Sequence, residues 1–393
     1  MALSTAKNQF FHLLQTTLNE PLGFREGNHY QAVGPTETPV TCLNVLHPNL
    51  YGRVLAYGNL GLGEGYMDNW FELENGSLET LLGTLLKGQL DKKIRGNWPL
   101  LARIAAYRLR HWQRGQWRNV QHHYDVGDDL FATFLDSSLT YSCGFAQTLS
   151  DDLEQLQQQK FDRICRKLAL QPGETLLDIG CGYGGLVLHA ATHFGVRATG
   201  ITNSRHHCQT AQERIRQAGL EQQVTVRLDD FKAVREQFDK IVSVGMLEHV
   251  PPAQYGAYFG IIKKNLAPQG RGLVHFVGAN AHANTHDPFI QRYIFPDSHQ
   301  PRLSVVLNQV ERNDLIIQDV ENMIRHYGHT SRAWLQRFRA GQEQLRVAYS
   351  DSFLRMWEYY LACCVAGSDY SDGALYQVLF MNDYRMSFPL NRV

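Results

Sequence analysis

The chain has 393 residues, 38 Lys and Arg against 38 Asp and Glu, and 44% hydrophobic residues, which excludes a disordered or fibrous protein. At that length two to three domains of roughly 100–200 residues are expected. Zero net charge removes the global electrostatic argument for a nucleic-acid partner, and none is expected.

Seven cysteines, at 42, 143, 165, 181, 208, 363 and 364, contain no CxxC pair, so reduced thiols fit better than a disulfide framework or a zinc ribbon. No metal site is expected. The amino-terminal MALSTAKNQFFHLLQ lacks the basic start, long apolar stretch and small-residue cleavage site of a secretory signal. No apolar run approaches the roughly 18 residues of a membrane span. The expectation is a cytoplasmic protein that is not integral to a membrane.

In chain order, the stretch to about residue 118 mixes strand-like pieces with turns, TPVTCLNVL and then the glycine-punctuated YGNLGLGEGYMDNWFELENGS, and reads as a small accessory domain. Between Lys87 and Arg118 basic residues dominate, Asp91 is the lone acid, and Trp98, Trp112 and Trp117 are interleaved. Such a segment suits docking on anionic headgroups, and equally a linker helix with a solvated basic face.

From Asp151 the texture changes. Leu153, Leu156, Phe161, Ile164 and Leu168 recur at mostly three-to-four spacing, predicting a helix that Pro172-Gly173 stops. Apolar runs follow with helical stretches between them: ETLLDIG (174–180), VRATGIT (196–202), VTVRLDD (224–230), DKIVSVG (239–245) and RGLVHFVG (271–278). This is the pattern of a parallel, doubly wound α/β sheet buried on both faces. DLIIQDVEN (314–322) and ALYQVLFMN (374–382) are two further strand candidates, separated by a long aromatic helical stretch. Ligands in such sheets bind beyond the carboxyl ends of the strands, near the point where strand order reverses.

Gly180, Gly182 and Gly185 in LLDIGCGYGG satisfy GxGxxG, so a dinucleotide has to be weighed. The acid expected roughly 20 residues beyond the first glycine is missing, however, and the chain there reads GITNS. A sulfonium nucleoside needs close backbone approach and a carboxylate to receive its ammonium group, which Asp178 before the loop supplies. S-adenosylmethionine is therefore the favoured cofactor.

The blocks YDVGDDLFATFLDSSLTYSCGF, LLDIGCGYGG, IVSVGMLEHV, LVHFVG and RYIFP, in that order, resemble the cyclopropane-fatty-acid-phospholipid synthases, a family of S-adenosylmethionine-dependent methyltransferases. The resemblance runs from GLGEGYMDNWFE to LYQVLF, nearly the whole chain. It implies a Rossmann-like class I methyltransferase sheet with a helical, lipid-facing insertion and a small amino-terminal accessory domain. The expected division is a membrane-docking domain over 1–120 and a catalytic domain over 121–393.

The implied reaction moves a methyl group to the cis double bond of an unsaturated phospholipid acyl chain and closes a cyclopropane ring, with bicarbonate as the base. Cys143, Glu248, His275, Val277 and Tyr327 fall on the family's bicarbonate cage, with Tyr293 an alternative to Tyr327. A carboxylate beside bicarbonate acts as acceptor for its O–H, while His275 and a tyrosine hydroxyl donate to its oxygens. Cys143 and Val277 would contribute backbone N–H and shape. For the cofactor, Tyr141 and Ser142 match positions that grip the amino-acid end. Asp178, Gly180, Cys181, Gly182 and Gly184 form the loop, Thr202, Asn203, Ser204 and His207 cover the ribose, and Asp230 and Phe231 receive the adenine. His207 replaces the family's usual glutamine. Cys364 matches a cysteine regarded as catalytic, although ring closure needs no covalent enzyme intermediate and a buried structural thiol fits better.

The resemblance places the protein peripherally on the inner face of the membrane, with unsaturated phospholipid and an anionic surface as partners and a homodimer left open. A related lipid methyltransferase giving a methyl-branched or methylene product, and a non-catalytic lipid-binding relative, remain alternatives. A nicotinamide oxidoreductase is a distant third.

Overall fold

The computed structural model describes residues 3–35, 38–90, 127–280 and 287–385. The basic, tryptophan-bearing segment therefore lies, beyond Leu90, outside the described residues. Two compact units form. The first holds the described residues of Met1–Thr133, His286–Pro296 and Leu335–Ser371, the second those of Phe134–Thr285, Asp297–Trp334 and Asp372–Val393.

The first unit begins with α1 (Leu3–Thr17), β1 (Leu22–Glu26), β2 (His29–Val33), β3 (Thr41–Val45), α2 (Leu50–Tyr57), α3 (Asn59–Met67), β4 (Phe71–Asn75) and α4 (Leu78–Lys87). Its sheet runs β2-β1-β3-β4, with β1 and β3 parallel. Of the glycine-punctuated stretch 57–77, expected to mix strand-like pieces with turns, Asn59–Met67 is instead the helix α3, while Phe71–Asn75 is the strand β4. A Cβ on Gly61 would collide with the Arg53 carbonyl of α2, one on Gly63 with the Phe289 ring, and one on Gly65 would lie 2.7 Å from Leu50. These glycines serve close packing, which offsets the roughly 1 kcal/mol that each costs a helix.

α5 (Asp128–Phe134) leads to α6 (Leu153–Leu168), which opens with a capping box: Asp152 accepts the Gln155 N–H and the Gln155 side chain accepts the Asp152 N–H. The second unit continues with β5 (Thr175–Ile179), α7 (Gly185–Phe194), β6 (Arg197–Thr202), α8 (Arg205–Gln217), β7 (Val224–Leu228), β8 (Phe238–Val244), α9 (Tyr255–Asn265) and β9 (Leu266–Ala279). α10 (Pro288–Tyr293) belongs to the first unit, while α11 (Leu303–Arg312) and β10 (Ile316–Asn322) return to the second. α12 (Ile324–Leu345) counts with the second unit to Trp334 and with the first thereafter. α13 (Asp351–Tyr370) packs on α3 and α4 in the first unit, and β11 (Gly373–Met381) closes the second.

Seven strands order as β10-β11-β9-β8-β5-β6-β7. On one face Leu177, Ile241, Val274 and Phe276 pack with Tyr258, Phe259 and Ile262 of α9. On the other Leu176, Ala198, Val242 and Leu273 pack with Ile164 and Leu168 of α6 and Val187 of α7. Burial on both sides explains the near-continuous apolar runs. The strands from β5 to β9 pair in parallel, but β11 lies antiparallel between β9 and β10. Hydrophobic periodicity marks a strand without giving its direction, so this edge of the sheet follows only from the tertiary pairing. Among the described residues no helix is long and apolar enough to cross a membrane.

Candidate active site

Strand order reverses between β5 and β8, the point beyond whose carboxyl ends open α/β sheets bind their ligands. Asp178 and Gly180 stand at the end of β5. Gly180, Gly182 and Gly184 have φ of +84°, +52° and +80°, values that side-chain-bearing residues rarely adopt. A Cβ on Gly180 would also lie 3.0 Å from Met246, which follows β8. Cys181 is buried within the loop, and burial pushes its thiol far above the ordinary range, leaving it unreactive.

At the end of β6 the buried Thr202 hydroxyl accepts the Ser204 N–H at 3.2 Å, and Ser204 caps α8 by accepting the His207 N–H at 3.2 Å. Asn203 is exposed, and the His207 ring lies 4.4 Å from that of Tyr183. After β7, Asp230 accepts the Lys232 N–H at 2.8 Å, and Phe231 meets Tyr258 edge-on at 5.4 Å.

The segment before α6 carries the two remaining cofactor candidates, Tyr141 and Ser142. Tyr141 packs 5.2 Å from Trp334 and 5.9 Å from Phe134. Ser142 Oγ accepts from Lys160 Nζ at 3.1 Å, and its carbonyl accepts from Gln157 Nε2 at 2.9 Å. Lys160 is 1% exposed, and burial lowers its pKa to about 8 against the opposing fields of Asp136, Cys143 and Asp178. Burial raises the Asp178 carboxyl to about 7, with Lys160 working the other way. Asp178 Oδ1 is buried without a hydrogen-bond partner.

The second unit also brings together five of the six expected catalytic residues. Cys143, Val277 and Tyr327 share one apolar cluster with Met323 and Leu375. Glu248 follows β8, and its Oε1 accepts the Val277 N–H of β9 at 2.6 Å. That N–H, expected to face a ligand, thus orients Glu248. Burial raises the Glu248 carboxyl to about 7, the Val277 hydrogen bond opposing it. Burial lowers His275 to about 3, the Lys160 and Lys167 charges adding to it, so its imidazole is neutral. Glu248 Oε2 and His275 Nε2 are both buried without a partner. The Cys143 thiol, raised by burial to about 12, is not a nucleophile.

Cys364 belongs to the first unit, buried on α13. Tyr293 lies there too, donating to Glu64 at 2.9 Å, whereas Tyr327 is in the second unit with Glu248 and His275. Among the described residues no group of three or more His, Cys, Asp or Glu is placed to hold a metal.

Sequence reasoning missed Gln157, Lys160, Lys167 and Gln377, all buried. A signal for Lys160 was present: it stands four residues from both Leu156 and Ile164, on the apolar stripe of α6, where a solvated lysine does not belong.

Residues 111–378 match the family model described as mycolic acid cyclopropane synthetase. The chain belongs to that family. It is 38% identical over 340 residues to the cyclopropane-fatty-acyl-phospholipid synthase of Escherichia coli K12, covering 86% of this chain and 87% of that protein. It is 31% identical over 387 residues to a tuberculostearic acid methyltransferase of Mycobacterium tuberculosis, covering 93% and 88%. The solved structure of mycolic acid cyclopropane synthase CmaA1 complexed with SAH and CTAB superposes with a TM-score of 0.63 at 28% identity, covering 68% of this chain and 98% of that one. As a member of the cyclopropane synthetase family, the chain is an S-adenosylmethionine-dependent methyltransferase acting on lipid. The positive-φ glycines and the unpartnered Asp178 oxygen fit that cofactor, since they allow close backbone approach beside an acceptor for its ammonium group.

Proposed function

We propose that the protein converts the cis double bond of an unsaturated phospholipid acyl chain into a cyclopropane ring, with bicarbonate as the base. The observation that carries this reading is the pair of buried, unpartnered atoms Glu248 Oε2 and His275 Nε2 in the unit that also gathers Cys143, Val277 and Tyr327. An acceptor and an imidazole nitrogen in one dry site suit a small oxyanion carrying one O–H.

Bound S-adenosylmethionine supplies an electrophilic methyl on a sulfonium, and bicarbonate supplies a base weak enough not to trap the cation that alkene attack creates. Asp178 would receive the cofactor's ammonium group, while Tyr141 and Ser142 would flank its amino-acid end. Glu248, fixed by the Val277 N–H, would accept the bicarbonate O–H. Accepting that hydrogen bond favours the ionised carboxylate and so relieves the cost that burial imposes on it. The rings of Tyr141, Phe134, Trp334 and Tyr327 form an aromatic cluster whose faces suit a developing carbocation. Cys364 is read as a structural thiol.

The direct test supplies the purified protein with labelled S-adenosylmethionine and monounsaturated phospholipid vesicles, with and without bicarbonate, and identifies the product by mass spectrometry. A cyclopropane acyl chain formed only with bicarbonate is expected. A lipid fraction without label sinks the enzymatic reading, and full turnover in bicarbonate-free buffer sinks the assigned base. Similarity to a tuberculostearic acid methyltransferase over 93% of the chain favours a second reading, a methyl-branched or methylene product, which the same spectrum would reveal.

A further inference from the structure

His275 lies on β9 directly opposite Gln377 of β11. Its Nδ1 faces Gln377 Nε2 at 3.2 Å, while its Nε2 is buried with no partner. Which ring nitrogen carries the proton depends on which end of the Gln377 amide faces the ring, because a carbonyl oxygen would require Nδ1–H and an NH2 group would require a bare Nδ1.

The far end of the amide decides this. Gln377 Oε1 lies 2.8 Å from Lys167 Nζ, and Lys167 also donates to Glu321 at 2.6 Å with Asp319 at 3.5 Å. Arg163 shares the Glu321 carboxylate at 2.7 Å. Burial lowers the Lys167 pKa, but the hydrogen bond and charge of Glu321 and the charge of Asp319 oppose it and favour the ammonium form, which donates only. Turning the amide over would set its NH2 against that ammonium, donor against donor, in a buried site where neither could turn to water. The carbonyl therefore faces Lys167 and the NH2 faces His275.

We propose that Lys167 and Gln377 are positioning residues which hold His275 as the Nε2–H tautomer, so that its ring donates a hydrogen bond into the active site. The relay runs from the Glu321 carboxylate through Lys167 and the Gln377 amide to the ring. Its chemical consequence is specific. A bare Nε2 would accept from an incoming ligand and repel an oxyanion, whereas Nε2–H donates to one. The burial that keeps His275 neutral complements the relay, because an imidazolium would present N–H at both nitrogens and clash with the Gln377 NH2. The use of this donor on bicarbonate rests on the function proposed above, but the tautomer is a property of the ligand-free protein.

The test is nitrogen NMR on the full-length protein carrying 15N-labelled histidine rings, with His275 assigned by its loss in His275→Asn. Wild-type protein is expected to show a protonated Nε2 and a non-protonated Nδ1. In Gln377→Glu, a carboxylate facing the ring should call the proton to Nδ1, so that the two resonances exchange character or the ring becomes doubly protonated. A protonated Nδ1 with bare Nε2 in the wild type overturns the proposal outright, and an unchanged tautomer in Gln377→Glu overturns the role of Gln377. Failure of the bicarbonate reading would show differently, as turnover indifferent to bicarbonate in a protein with the expected tautomer. The positioning role further requires that Gln377→Glu lower kcat at least tenfold while KM for S-adenosylmethionine stays within about threefold. Equal losses in both would mark a merely structural residue.

Discussion

Lys160 Nζ, buried on α6, donates to Ser142 Oγ at 3.1 Å. A charged lysine has no acceptor to offer, so the Ser142 hydroxyl spends a lone pair inward and keeps its proton for a partner outside. The same cation lies in the field of Asp178. On the function proposed above, the two would offer an anionic and a cationic group to the amino-acid end of the cofactor, which is itself a zwitterion.

Replacing Lys160 by Met should therefore weaken S-adenosylhomocysteine binding at least tenfold, in line with about 1.5–3 kcal/mol for a hydrogen bond to a charged group. Affinity for 5′-methylthioadenosine, which lacks the amino-acid end, should change little. Calorimetric titration of both ligands gives the comparison, and an equal loss for both would mean that Lys160 only supports the fold.

Glu248→Gln keeps a carbonyl for the Val277 N–H but presents an NH2 where Oε2 stood. Turnover should fall about 100-fold, equivalent to about 2.7 kcal/mol, with cofactor affinity unchanged. Methyl transfer into vesicles together with calorimetry measures both. Unaltered turnover would remove Glu248 from the reaction.

Asp178 makes ligand-free stability depend on pH. Its carboxyl is raised by burial from 3.8 to about 7, so between those values the folded state holds a proton that the unfolded chain has released. Stability then falls with rising pH across that window, by about 1.4 kcal/mol per unit, and levels off above it. Glu248, raised from 4.5 to about 7, contributes in the same direction. Lys160, lowered from 10.5 to about 8, acts only above that range. The melting temperature of Asp178→Asn relative to wild type should rise from pH 4 to pH 7 and then hold constant. A difference independent of pH would show that the carboxyl titrates normally.

The basic segment up to Arg118 gives a separate expectation. If it docks on headgroups, vesicle sedimentation should require anionic lipid and weaken as salt rises from about 50 to 500 mM, because the Debye length shortens severalfold. Binding to neutral vesicles that ignores salt would leave the segment a linker.

Much of the candidate site was legible because its parts are local. Asp178 adjoins the glycine loop, Ser204 caps the helix that follows it, and Asp230 caps the next turn, so each can be read from a few consecutive residues. Lys160 announced itself only as a charged residue on an apolar stripe, without naming Ser142 as its partner. Gln377 carried no signal at all, since a glutamine in an apolar run has no meaning until the strand opposite it is known.

By itself, the amino-acid sequence determined the doubly wound sheet, the cofactor loop and the family, because hydrophobic periodicity and short motifs are properties of neighbouring residues. The tertiary structure alone decided that α3 is a helix, that β11 runs antiparallel between β9 and β10, and that His275 meets Gln377 across 102 residues of chain. Those outcomes depend on which distant surfaces approach closely enough to need a glycine or to exchange a hydrogen bond, and no local pattern encodes that distance.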